Sequence, residues 1–228
     1  MRARGKDRSP KGRLVMRAWL LLAICAGMPA LHGWDSEEGF ICSATNALTN
    51  RACLRAPSFT NELYAYRASL SSSNSVGMLR VSLLDAICFQ EMFEEDQDAS
   101  VLDEGLNRAS NTVHAAAVFT NDCLALASRL VLAGGLCCKG KDGDAYSVCT
   151  NALAMAHQSC TCQSDVFIRS LLDYHDMPDL NVYDALKAFA GLTAANKGWF
   201  PASSNLVESL PLRYREMAQE IISGKSGE

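Results

Sequence analysis

Nine of the ten cysteines lie downstream of a leader that is first basic and then apolar, and this pairing of leader and cysteines constrains the chain most. Arg2, Arg4, Lys6, Arg8, Lys11, Arg13 and Arg17 form the basic region, and the short apolar run Ala18 to Ala26 follows it. Small residues at Ala30 and Gly33 offer cleavage points. This is the pattern of a secretory signal peptide over residues 1–33. Met16 offers a second start, which would leave a single arginine, Arg17, ahead of the apolar run. The run is too short for a permanent membrane-spanning helix. A chain sent to an oxidising compartment uses its cysteines as cross-links. Nine is odd, so one thiol is expected to stay free or to pair between molecules.

Removal of the leader leaves about 195 residues, which suits a single domain with a real core. Seven of the 21 Lys+Arg and one of the 25 Asp+Glu go with it, leaving 14 basic against 24 acidic residues, a net charge of −10. That balance argues against nucleic acid or an anionic membrane as partner and favours a basic protein. Asn-x-Ser/Thr does not occur, so N-glycosylation is not expected. The polar tail Lys225 to Glu228 carries no lipid-anchor signal.

The mature chain reads as successive helices, with no alternating β-branched run to suggest strands. From Ser100 to Ala133, the residues Leu102, Leu106, Ala109, Val113, Ala116, Cys123, Ala127 and Leu130 recur at three- and four-residue steps. This predicts one long helix, closed by Gly134 and Gly135. A helix with two apolar faces is expected over Gly77–Phe93, a third helix over Asp144–Leu172, and a fourth over Val182–Ala195. Pro178 interrupts the chain, and Pro211 opens a last helix to Ser223. Residues 139–144 read as a turn. Ahead of these, Cys42 and Cys53 sit in a stretch of short helical turns that ends at Pro57. The fold class is all-α, with a domain over 34–180 and a helical extension over 181–228.

Four motifs stand in order along the chain: Ile41-Cys42-x-x-Thr45…Cys53, Val76-Gly77-Met78-Leu79…Leu84-Asp85-Ala86, Asn121-Asp122-Cys123-Leu124, and Asp144 through Ser159-Cys160. Together they resemble the plant invertase and pectin methylesterase inhibitor family, over roughly residues 38 to 170. The resemblance implies a disulfide-stabilised antiparallel four-helix bundle with an N-terminal helical hairpin. It implies pairing of Cys42 with Cys53 and of Cys123 with Cys160. It also implies a secreted apoplastic or cell-wall protein that plugs the active-site cleft of a carbohydrate enzyme and does no chemistry itself. Its contact face would be exposed positions on the helices near 76–97, 100–133 and 144–172. The Pro-Lys-Phe tripeptide associated with invertase inhibition does not occur, so pectin methylesterase is the expected target and acid invertase the lesser one.

Five cysteines exceed that family's pattern: Cys88, Cys137, Cys138, Cys149 and Cys162. Cys138 and Cys149 flank the 139–144 turn and are candidates for a local bridge. Cys88 is a candidate partner for Cys162 or Cys137, and Cys162 is an alternative to Cys160 as the partner of Cys123.

The chain has no Gly-x-Ser-x-Gly elbow, phosphate loop or His-Glu-x-x-His. His157 with Cys160 and Cys162 superficially resembles a metal cluster, but in a secreted chain the thiols read as oxidised. His114 reads as a surface or half-buried helix residue, His175 as part of a turn, and Glu94-Glu95 as a solvated charge run. No catalytic residue, metal or cofactor is therefore expected. The alternative reading is a secreted disulfide-rich helical module that binds lipid or protein and has no enzyme target.

Overall fold

The protein is described by a computed structural model over residues 34, 36–118, 122–156, 164–199 and 204–224. Ser36 starts the helical chain: its hydroxyl accepts the Gly39 N–H at 3.1 Å, and Glu37 and Glu38 place negative charge at the positive end of the helix. This helix, α1 (Glu37–Thr49), leads into the single turn α2 (Arg51–Leu54) and then α3 (Pro57–Ser69). Asn74 caps α4 (Ser75–Asp96) by accepting the Gly77 N–H at 2.9 Å. There follow α5 (Ala99–Val118), α6 (Asp122–Cys138), α7 (Asp142–Met155), α8 (Val166–Tyr174), α9 (Val182–Asn196), α10 (Ser204–Glu208) and α11 (Leu212–Ile222). Every regular element among the described residues is helical, in agreement with the all-α expectation.

The turn expected over 139–144 is shorter, because Asp142 to Asp144 already form the first turn of α7. Three further boundaries differ from the sequence expectation, each for a local reason. Pro57 opens α3 instead of closing the N-terminal region, because its fixed φ and missing N–H are tolerated in a first turn. The long helix expected over 100–133 is two helices, α5 and α6, and Gly134 and Gly135 lie inside α6. A Cβ on Gly135 would fall 2.6 Å from Gln90 Nε2 and 2.9 Å from Leu106 Cδ2, so this glycine serves packing rather than termination. Termination falls to Gly140, whose φ of 73° suits the left-handed cap, while Lys141 N–H closes back on the Leu136 carbonyl at 2.9 Å. The helix expected over 144–172 is also two, α7 and α8. Asp165 starts α8 afresh by accepting the N–H groups of Phe167 at 3.0 Å and Ile168 at 3.3 Å.

Helices pack mainly in chain order. The connection at 97–98 folds α5 back on α4, and the one at 139–141 folds α7 back on α6. α6 also packs on α5 and α4, and α9 packs against α7 and α6. α11 covers α9, so the C-terminal helices are integral to the packing. α2 and α3 lie on α4, while α1 lies on α8.

Alanines supply much of the core, including Ala86, Ala109, Ala116, Ala133, Ala145 and Ala188, and allow close helix approach. Gly105 extends this: a Cβ there would meet Phe89 Cβ at 2.9 Å, which fixes how tightly α5 sits on α4. A second, aromatic focus lies under the N-terminal helices. Phe40 stacks on Tyr66 with centroids 4.7 Å apart, and Trp34 meets Phe59 edge-on at 5.3 Å. Phe167 of α8 joins Phe40 at 6.2 Å, tying α1 to α8.

Candidate functional site

One concave surface that carries polar chemistry lies between α4 and α5. A groove of about 610 Å³ is floored by Met78, Leu79 and Ala115, with Ser82 and Thr112 along its length. Arg67, at the end of α3, stands exposed at its rim. Beneath the groove lies Asp85, only 1% exposed on an otherwise apolar stretch of α4. A buried carboxylate needs partners, and Asp85 has two: Arg108 of α5 forms an ion pair with it, and Tyr64 donates its hydroxyl at 3.1 Å. Arg108 also binds Glu104 one helical turn back at 2.9 Å and lies 4.6 Å over the Phe89 ring. Asp85, Arg108 and Glu104 are therefore engaged with one another, while Arg67 at the rim stays exposed. They form a fixed polar wall beside an apolar floor.

A second polar cluster lies where α2, α4, α6 and the end of α8 meet. Glu91 is 1% exposed, with Arg51 at 3.8 Å and Arg55 at 3.9 Å. Burial raises its carboxyl above the usual range, opposed by a hydrogen bond from Tyr174 and by the two arginines. Arg51 donates to the Tyr174 carbonyl at 2.7 Å and lies 4.5 Å over the Tyr174 ring. His175 packs against Gly134, where a Cβ would come within 3.2 Å of the ring. Its Nε2 is shielded from solvent and has no hydrogen-bond partner among the described residues. Burial and the neighbouring Arg51 push His175 down to about 4. A cavity of about 170 Å³ opens between Arg51, Gln90, Glu94, Cys138, His175 and Asp176.

The cysteines are placed as follows. Cys42 is an exposed thiol on α1, with Asn46 Nδ2 3.8 Å from its sulfur, and Cys53 is half-buried on α2. No disulfide joins them. Cys42 lies exposed on α1, whereas Cys53, beyond the Asn50 junction, packs against the core. Cys123, on α6, is disulfide-bonded; Cys160, the partner implied by the resemblance, and Cys162 lie outside the described residues.

Cys88, Cys137, Cys138 and Cys149 are thiols, so the bridges considered for them are not formed in the structure. Adjacent residues on a helix point about 100° apart, and Cys137 and Cys138 diverge accordingly. Cys137 hydrogen-bonds to Asp142 and Thr193, on the side of α7 and α9, whereas Cys138 lines the small cavity beside Glu94. Cys149 is fully buried on α7. Burial pushes both Cys137 and Cys149 up to about 12, and Cys88 is raised by the same cause, so these are unreactive thiols at neutral pH.

Of the histidines, His114 is exposed on α5 and His157 lies outside the described residues. Glu94 and Glu95 are both exposed, as a solvated charge run requires; Glu95 also pairs with Arg55 at 3.2 Å, and Glu94 lines the small cavity. Among the described residues no three His, Cys, Asp or Glu side chains group to hold a metal ion, and no helix is long and apolar enough to cross a membrane. Asp85 and Glu91 were missed from sequence as sites. Their signal was a carboxylate at a core position of a helix with two apolar faces. No model of a known protein family matches the chain, and no curated protein or solved structure matches it either.

Proposed function

We propose that the chain is a secreted protein that acts by binding a target macromolecule and not by transforming a substrate. The target proposed is a cell-wall carbohydrate enzyme, with pectin methylesterase first and acid invertase second. One observation carries this reading: the α4–α5 groove sets an apolar floor beside Asp85, Arg108 and Glu104, which are held by each other, with the exposed Arg67 at its rim, and we read this as a preformed surface for docking. The groove falls on two of the three helices that the family resemblance assigns to target contact. Helices held this way lose little conformational freedom on binding. A standard interface of roughly 1,600 Å² needs only parts of two or three helices.

The experiment is an activity titration. Purified mature protein is expected to suppress a plant pectin methylesterase at acidic pH, with suppression weakening as salt rises, because an acidic chain is steered to a basic enzyme. Full enzyme activity at micromolar protein rejects the target.

The exposed Cys42 thiol favours a second reading, since a bridge to Cys53 is part of what the resemblance implies. In it the chain is a helical module that binds lipid or protein and has no enzyme target. Cosedimentation with phosphatidylcholine–phosphatidylserine vesicles separates the lipid form of that reading from the inhibitor.

A further inference from the structure

We propose that the junction of Arg51, Glu91 and His175 is an acid-sensitive latch, which holds α2 and the end of α8 against α4 and α6 while the imidazole is neutral and releases them when it gains a proton. The geometry carries the proposal. Arg51 spans the junction, bonded to the Tyr174 carbonyl at 2.7 Å, stacked on the Tyr174 ring and facing Glu91 at 3.8 Å. Next to it, the His175 Nε2 is out of solvent with no partner. A neutral ring tolerates that position. An imidazolium there has a second cation beside it and no acceptor for its new N–H.

The groups facing the ring come from every element around it. α2 contributes Arg51, α4 contributes Gln90 and Glu94, and α6 contributes Cys138, with Glu91 and Arg55 behind Arg51; Tyr174 and Asp176 flank the ring in sequence. Tyr214 of α11 donates to the Asp176 carbonyl at 3.1 Å and anchors that corner from the C-terminal side. Glu91 faces Tyr174 and the two arginines, at 3.8 and 3.9 Å, and its Oε1 is buried with no hydrogen-bond partner among the described residues. Gln90 donates its amide to the Val131 carbonyl at 3.1 Å. The carboxylates at the junction are the buried Glu91 and the exposed Glu94 and Asp176. In the latch, the imidazolium turns from its seat on Gly134 toward one of these carboxylates, and that movement is the opening.

The direction with pH follows from linkage. His175 holds its proton less well in the fold (about 4) than a free imidazole does, so the unfolded or opened state binds more protons. The contribution of the neutral ring is complete above the ordinary imidazole range and is lost as pH falls from about 6.5 toward 4. Glu91, raised by burial, contributes with the opposite sign, so the test compares chains that differ only at His175 or Arg51.

The experiment uses the full mature chain. NMR titration of the His175 ring, assigned with His175→Gln, is expected to give a midpoint near 4, and Arg51→Met is expected to move it upward. Amide exchange, corrected for intrinsic pH dependence, is expected to accelerate at least about tenfold between pH 6.5 and 4 in residues 51–54 and 171–176. The same acceleration should be absent in α9 and absent throughout His175→Gln. If His175→Gln does not fold, the Arg51→Met chain decides, through its raised midpoint and reduced acid opening. A wild-type midpoint at the free-imidazole value, or equal exchange in wild type and variants, overturns the latch.

Discussion

Gln90 passes over the face of Gly135 to donate to the Val131 carbonyl at 3.1 Å, so close that a Cβ on the glycine would fall 2.6 Å from its Nε2. Both partners belong to the interior: Gln90 is 3% exposed, and its hydrogen bond ties α4 to α6. Gly135→Ala is therefore expected to destabilise the fold by about 1–3 kcal/mol, the usual range for overpacking. The helix propensity gained by alanine, about 1 kcal/mol, offsets part of this. Urea unfolding monitored by circular dichroism reads the change. A more stable Gly135→Ala chain would show that α4 and α6 are not in contact there.

Asp85 and Arg108 give a second test, because the carboxylate is buried while the guanidinium is 27% exposed. Arg108→Met leaves a buried charge with only the Tyr64 hydroxyl and is expected to cost about 3 kcal/mol. Asp85→Asn removes the charge instead and is expected to cost less. The double variant is expected to recover part of the loss, and a double-mutant cycle on unfolding free energies measures how much.

Asp165 joins two tasks in one side chain. It caps α8 and pairs with Arg80 at 2.9 Å, and Arg80 also pairs with Glu37 at the start of α1. Asp165→Ala is expected to lower stability by about 1–2 kcal/mol, mainly as a lost cap. Asp165→Asn, which keeps an acceptor for the Phe167 N–H, is expected to lose roughly half as much. Equal losses in thermal unfolding would assign the effect to the ion pair.

The thiols are expected to separate by accessibility. Cys42 should alkylate in the native protein without prior reduction, whereas Cys88 and Cys149 should react only after unfolding, since both are buried and hold their protons tightly. Peptide mapping under non-reducing conditions reads all of them at once. A Cys42 that reacts only after reduction is bridged, and a Cys42–Cys53 peptide would restore the first pairing implied by the family resemblance.

Much of the helical architecture was legible in the apolar spacing. The Gly77–Phe93 expectation falls within α4, Val182–Ala195 within α9, and Pro211 stands directly ahead of α11. What misled was punctuation. Gly134 and Gly135 carry the composition of a helix stop, but their positions are set by Gln90, Leu106 and His175, which lie far away in sequence. Pro57 is ambiguous in the same way, since proline both follows helices and begins them. The polar clusters were less legible. Asp85 occupies a core stripe position, and only the fold brings Arg108 and Tyr64 to it. His175 reads as a turn residue because nothing in its local sequence reveals Arg51 beside it or Gly134 beneath it. Cysteine pairing cannot be read from positions alone, because the direction each Cβ takes from its helix decides it.

Binding through the α4–α5 groove is the claim on which the functional account rests, and Ala115→Trp tests it by filling the groove floor while both residues of the Asp85–Arg108 pair are kept. The measurement is inhibition of pectin methylesterase by wild type, by Ala115→Trp and by His114→Trp, the last substituting an exposed residue of α5 outside the groove. Wild type and His114→Trp are expected to inhibit alike, and Ala115→Trp at least about tenfold more weakly, equivalent to about 1.4 kcal/mol of binding. Equal inhibition by all three would contradict the groove as the contact face, and no inhibition by any of them would contradict the target itself.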